Sequence, residues 1–157
     1  MGAGVRAEIR QVIRRGPHGA MYPRDYRDIS ELDARCFPGE DLPDTDGEWW
    51  VARVDGAPVA YACMDASPST PGIGVLWRAG VLPRWRRRGL HSRLLRARES
   101  AARRHGWGHV VTYVAKWNLS SANSLLRRGY LLYEPKTKWG LEDALYLYKR
   151  LGPAGGK

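Results

Sequence analysis

Only two cysteines, Cys36 and Cys63, occur in the 157 residues. Two thiols make no disulfide framework, and a reducing compartment is the expected setting. No apolar run approaches the ~20 residues that a membrane-crossing helix needs. The opening stretch, MGAGVRAEIRQVIRR, has no apolar core of the kind a signal peptide carries. Gly2 follows Met1, but Arg6 stands where a myristoylation pattern needs Ser or Thr. Four histidines and two cysteines show no ligand spacing, so no metal site is expected. No Ser-His-Asp arrangement, internal repeat or low-complexity tract is present. These absences leave a cytoplasmic globular protein with no membrane segment.

Acidic residues are also scarce. Asp and Glu number 16 against 26 Lys and Arg, a formal charge of +10. Such a surplus favours polyanionic partners, whether nucleic acid, an anionic surface or a phosphorylated cofactor, without choosing among them. Five acids gather in GEDLPDTDGE (39–48): Glu40, Asp41, Asp44, Asp46 and Glu48. On a basic protein this stretch is either a lure for a cationic substrate or a solvated connector. The length fits one domain over 1–157, large enough to bury roughly 68–70% of its unfolded surface.

Turn signals and periodicity divide the chain. Residues 5–15 alternate as a strand does, and GPHGAMYPRD is turn-rich. DYRDISELDARCF places Tyr26, Ile29, Leu32 and Cys36 near helical spacing, closed by Pro38 and Gly39. EWWVARVDG and APVAYACMDA read as two strands joined at Asp55-Gly56, a strong hairpin signal. IGVLWRAGVL is a strand stopped by Pro83. In RGLHSRLLRARESAARRHG the apolar face is Leu90, Leu94, Ala97 and Ala101, and Gly106 ends the helix. HVVTYVA (109–115) is a short buried strand. SSANSLLRRG is a helix capped by Ser120 or Ser121, and ALYLYKRL (144–151) is a last strand. The order is α/β, antiparallel at first, with a strand–helix–strand crossover in the second half.

The stretch VLPRWRRRGLHS (81–92) runs strand, turn, glycine, helix. A helix start offers backbone N–H groups and the positive end of its dipole, a ready anion site. Gly89 lets a phosphate approach the backbone with no Cβ in the way. Arg86, Arg87 and Arg88 add charge and bidentate donors. Solvated surface charge is the usual explanation of an arginine run, so the spacing alone leaves both readings open.

Residues 81–91 resemble motif A of the GNAT superfamily of N-acetyltransferases: a strand ending in Val-x-Pro, an aromatic, then Arg/Gln-x-x-Gly-x-Gly/Ala opening a helix. NLSSANSLLRRGY (118–130) is similar to the family's Asn-x-x-Ala/Ser…Gly-Phe/Tyr segment, with its Asn-to-Gly spacing kept. LDARCFPGE and WWVARVDGAPVAYA resemble the family's first helix and central hairpin, so the likeness runs over about 5–151. It implies a mixed, mostly antiparallel sheet flanked by helices, with the strands at 73–82 and 109–115 a splayed parallel pair. It also implies acetyl-CoA as cofactor. The pantetheine arm would pair with the backbone at Val81 and Leu82. The diphosphate would sit on the turn formed by Arg86, Arg87, Arg88, Gly89, Leu90, His91 and Ser92. Asn118 and Ser121 would meet the CoA arm. His91 departs from the pattern, which has Gly or Ala there; its side chain can point away from the phosphate.

Amide formation from a thioester needs a neutral amine, although a lysine-like amine has a pKa of ~10.4. A base or water chain takes its proton, commonly worth ~10²–10⁴ in rate. A backbone N–H near Gly80, Val81 or Leu82 would serve the developing oxyanion. The family's tyrosine acid, seven residues past the asparagine, is here Leu125, and its strand glutamate is here Tyr113. Tyr113 and Tyr130 are the nearest substitutes for the acid; Glu134 and the acids of 40–48 are candidates for the base, with ordered water the alternative. Trp117 and Trp139 are candidate walls of the acceptor cleft. The reading is an N-acetyltransferase acting on an amine-bearing acceptor, small molecule or protein; a homodimer is among the assemblies it allows. The competing reading is a basic nucleic-acid-binding module built on Arg84–Arg88 and Trp85. Between them stands an enzyme of this family whose acceptor amine is carried by nucleic acid or a ribosomal protein.

Overall fold

The computed structural model describes residues 6–15 and 19–153. The leader and myristoylation readings fall partly or wholly outside them. The elements run β1 (Glu8–Gln11), α1 (Pro23–Cys36), β2 (Glu48–Val54), β3 (Ala57–Ala66), β4 (Ile73–Val81), α2 (Leu90–Arg104), β5 (His109–Ala115), α3 (Leu119–Arg127), β6 (Leu131–Tyr133) and β7 (Ala144–Arg150). The strands hydrogen-bond in the order β1-β2-β3-β4-β5-β7-β6. β4 and β5 are parallel, whereas β1/β2, β2/β3, β5/β7 and β6/β7 are antiparallel. This is the α/β class with the mixed sheet that the sequence implied. The chain forms two compact units. One comprises the residues up to Asp65 together with Trp77–Arg98; the other comprises Ala66–Leu76 and the chain from Glu99 onward.

In the first unit the hairpin turn falls at Asp55-Gly56, both at positive φ (50° and 80°), as a tight two-residue turn requires. The first strand is shorter than its alternation suggested, only Glu8–Gln11. α1 starts at Pro23, two residues before the expected Asp25, because a proline fits the first helical position, where no N–H is needed. Its apolar face packs Ile29 and Leu32 against Met21, Trp49, Val51, Tyr61, Cys63 and Leu82. Two buried residues of α1 are charged: Asp28 is 7% exposed, and the deeper Asp33 is 2% exposed. It accepts the Tyr61 hydroxyl and Arg78 Nη1, the latter at 3.2 and 3.0 Å to its two oxygens. Burial of such a carboxylate is tolerable because it is paired and hydrogen-bonded.

In the second unit β5 pairs with β7 along its whole length, His109–Ala115. It pairs with β4 only over Ile73–Val75. Immediately beyond, the buried Thr112 hydroxyl donates to the Leu76 carbonyl at 2.8 Å, supplying a donor where the ladder ends. α3 is capped by Asn118, whose Oδ1 accepts the Ser121 N–H at 3.3 Å, and not by Ser120 or Ser121. β6 is a three-residue strand that periodicity could not reveal. Glu99 is buried, holding the Tyr130 hydroxyl at 2.7 Å and Lys149 Nζ at 3.0 Å.

Asp33→Ala should destabilise the protein by about 3 kcal/mol. That is the low end for breaking a buried ion pair, because Glu40 and the Asp41 carbonyl still serve Arg78. Tyr61→Phe should cost about 1 kcal/mol, one hydrogen bond. Urea unfolding of the two variants checks the ranking; a larger loss in Tyr61→Phe would show that the ion pair is not what holds this contact.

Candidate active site

The arginine turn lies wholly in the first unit. Leu82 is buried, and its N–H donates to the Val59 carbonyl at 3.0 Å. Pro83–Trp85 then form a single 3₁₀ turn. Arg86 bends back on the strand, its Nε donating to the Val81 carbonyl at 2.9 Å. Arg87 takes a left-handed conformation (φ 61°) and Gly89 another (φ 80°). The Gly89 carbonyl accepts the Arg93 N–H at 3.1 Å, which opens α2. No atom lies within 4 Å of where a Gly89 Cβ would stand. The backbone is therefore open there for a phosphate, and the residues present fit that group. The guanidinium groups of Arg84 and Arg88 lie 5.6 and 5.2 Å from the Trp85 ring centre, cation–π distances.

Behind the turn, Gly80 has no room for a side chain: a Cβ would stand 2.7 Å from the Tyr61 ring and 2.8 Å from Cys36 Sγ. Burial raises the Cys36 thiol pKa, and Arg86, through charge and a side-chain hydrogen bond, partly offsets this. On β3, burial pushes the Cys63 thiol up to about 11. Cys63 Sγ accepts the Arg78 backbone N–H at 3.4 Å, and its carbonyl faces buried Arg98 Nη1 at 3.4 Å.

The acidic stretch is partly structural. Arg78 Nη1 donates to the Asp41 carbonyl at 3.0 Å, Arg78 pairs with Glu40 at 3.6 Å, and its guanidinium lies 4.5 Å from the Phe37 ring centre. Asp44 and Asp46 line a cleft of about 330 Å³ together with Asp65, Met64 and Trp77. Carboxylates beside an indole face suit a cation. Composition pointed to Asp44 and Asp46; Asp65 and Trp77 join them only because β3 and β4 carry them there.

Of the expected catalytic side chains, the acids of 40–48 lie in the first unit and Tyr113, Tyr130 and Glu134 in the second. Tyr130 is 1% exposed and its hydroxyl is committed to Glu99, which gives it a core role rather than that of an acid meeting a leaving group. Tyr113 is half-buried, with its ring edge-on to Trp139 at 5.3 Å. Glu134 is exposed just past β6. Trp139 belongs to the same aromatic cluster, its Nε1 donating to the Tyr133 hydroxyl at 3.1 Å, whereas Trp117 is 83% exposed. Asn118, singled out for the cofactor, has its side-chain oxygen on the α3 cap; Ser121 follows in the first turn.

A family model of the acetyltransferase (GNAT) family matches residues 13–130. No curated protein sequence matches. Among solved structures, the ribosomal-protein-S18-alanine N-acetyltransferase from Escherichia coli is 16% identical, with a TM-score of 0.71 over 95% of this chain and 96% of that one. A GNAT-family acetyltransferase from Streptococcus pneumoniae is 15% identical, with a TM-score of 0.70 over 93% and 99%. The PaiA N-acetyltransferase from Thermoplasma acidophilum, solved with coenzyme A, is 14% identical, with a TM-score of 0.57 over 65% and 59%. At these identities the likeness is one of fold. Among the described residues no helix is long and apolar enough to cross a membrane, and no group of His, Cys, Asp and Glu could hold a metal ion.

A raised thiol pKa means that the folded chain holds the proton more tightly than the unfolded one. The Cys63 contribution to stability is then complete below the ordinary thiol value of 9.0 and lost as pH climbs towards about 11. Urea midpoints measured at pH 8 and pH 10.5 should fall more in the wild type than in Cys63→Ala. Equal falls in the two would locate the alkaline loss elsewhere.

Proposed function

That the chain belongs to the acetyltransferase (GNAT) family is the premise from which we propose its activity: transfer of an acetyl group from acetyl-CoA to a primary amine of a small molecule or protein. The observation that carries the cofactor half is the open, left-handed Gly89 at the start of α2, behind a turn of exposed arginines. Backbone groups of Arg86–Ser92 hold the diphosphate, with the α2 dipole behind them. Arg84, Arg87 and Arg88 supply the surrounding charge. His91 and Leu90 stand in the first turn of α2, and Leu90 is buried, so its part is played by the backbone. On the second unit, Asn118 and Ser121 stay candidates for the CoA arm by resemblance to the family.

Acetyl-CoA supplies the activated thioester. The chain's part is to orient it and to manage protons. Of the backbone donors of Gly80, Val81 and Leu82 at the end of β4, that of Leu82 is spent on Val59. Strand alternation turns Gly80 the same way, which leaves the Val81 N–H directed to the other edge as the donor for the carbonyl oxygen. No side-chain acid is required, since a thiol with a pKa of ~8.5 leaves as thiolate. Amine deprotonation falls to water or to a carboxylate of 40–48, with Tyr113 and Glu134 remaining to be tested by substitution.

Calorimetric titration with acetyl-CoA tests this, with a DNA oligonucleotide alongside. Saturable acetyl-CoA binding is expected, absent in Gly89→Glu and weakened in Gly89→Ala. Both variants force a side chain into the left-handed region at about 1–2 kcal/mol, but only glutamate fills the cradle with negative charge. Circular dichroism should show both folded. Undiminished binding by Gly89→Glu would remove this turn from the cofactor site. Tight, salt-steep DNA binding without competition from CoA would favour the nucleic-acid module instead.

A further inference from the structure

We infer that the Arg86 side chain is a positioning residue, holding the cofactor turn against the end of β4 through its ε N–H, while the charge that meets the phosphates comes from Arg84, Arg87 and Arg88. The inference rests on the reading that this turn holds the acetyl-CoA diphosphate. Three observations carry it. The Arg86 Nε–H donates to the Val81 carbonyl at 2.9 Å, closing a loop of five residues back onto the end of β4. The Arg86 charge also acts on the Cys36 thiol, at the last residue of α1, lowering its pKa against the effect of burial. Cys36 in turn fills the space beside Gly80, one residue before Val81. The neighbouring arginines make no such commitment to the strand: Arg84 and Arg88 lie over the Trp85 ring, and Arg87 sits at the exposed, left-handed corner.

The two roles make different demands on the side chain. Meeting a phosphate needs positive charge, and any cation of suitable length serves in part. Bracing the Val81 carbonyl needs an N–H at the ε position and no charge. Glutamine carries its amide nitrogen at that position, lysine has a methylene there, and methionine has a methyl. The Arg86→Gln, Arg86→Lys and Arg86→Met variants therefore separate the roles in opposite orders.

Acetyl-CoA affinity of the full chain is measured by calorimetry for each variant between 50 and 500 mM salt, with Arg88→Gln for comparison and thermal unfolding as a check on folding. Arg86→Gln is expected within about threefold of wild type, with an unchanged salt dependence. Arg86→Lys and Arg86→Met should both lose about tenfold, the worth of one hydrogen bond. Arg88→Gln should flatten the salt dependence. The reverse order, with Arg86→Lys retained and Arg86→Gln both weakened and flattened, would overturn the inference and return the Arg86 charge to the phosphate. Absence of wild-type binding would instead overturn the cofactor reading on which it stands.

Discussion

Asp33 is the carboxylate on which the first unit turns. It sits on the buried face of α1, in the turn before the helix ends, where an uncompensated charge would be costly. Its partners come from both neighbouring strands: the Tyr61 hydroxyl from β3 and the Arg78 guanidinium from β4. Arg78 then reaches past Asp33 to the Asp41 carbonyl, Glu40 and the Phe37 ring. One ion pair thus fixes the helix, the start of the acidic segment and the middle of β4 to each other. Hydrophobic packing of Ile29 and Leu32 is non-directional and would tolerate a slide of α1 along the sheet. The directional hydrogen bonds that Tyr61 and Arg78 make to Asp33 would not.

That constraint reaches the arginine turn through one further helical step. Cys36 lies three residues beyond Asp33, so the helix that presents Asp33 to Arg78 presents Cys36 to Gly80 and Arg86. The strand end and the turn that follows it are accordingly held from two sides, by Leu82 on Val59 and by Arg86 on Val81. A rigid turn matters for anion binding because backbone N–H groups are effective only when already aimed, with no reorganisation left to do.

Much of this was legible in the sequence where local chemistry dictates local structure. Asp55-Gly56 announces its hairpin because both residues accept positive φ. Gly89 announces an open backbone at a helix start, and the Val-x-Pro…Gly pattern locates it at the end of a strand. The α2 periodicity locates the helix and its buried face, with Leu90, Leu94 and Ala101 in the core, but not Arg98 and Glu99, which are buried where a binary pattern expects solvent. Partners distant in sequence help to satisfy each: the Cys63 carbonyl for Arg98, beside the local Leu94 carbonyl, and Lys149 and Tyr130 for Glu99. Tyr130, a candidate acid by its place after α3, has its hydroxyl on Glu99, a partner that no local pattern reveals. The α3 cap was placed at a serine, whereas Asn118 accepts the cap bond itself, so a residue noted for a ligand also has a plain structural duty.

The arginine run shows why net charge is a poor guide to partner. Read as composition, Arg84, Arg86, Arg87 and Arg88 are four equal contributions to a +10 surface. Folded, they divide by geometry: one is turned back on the strand, two lie on an indole, and one occupies a strained corner. An arginine whose ε N–H is spent on a buried-strand carbonyl has lost much of its freedom to follow a ligand, and one held over the Trp85 ring is restrained in turn. A flexible polyanion is best met by mobile, equivalent cations along a track, as a salt-steep nucleic-acid surface requires. A single turn with assigned orientations is better matched to a compact diphosphate held at one place. The sorting of these four side chains, more than their number, favours a small phosphorylated ligand over a nucleic-acid strand.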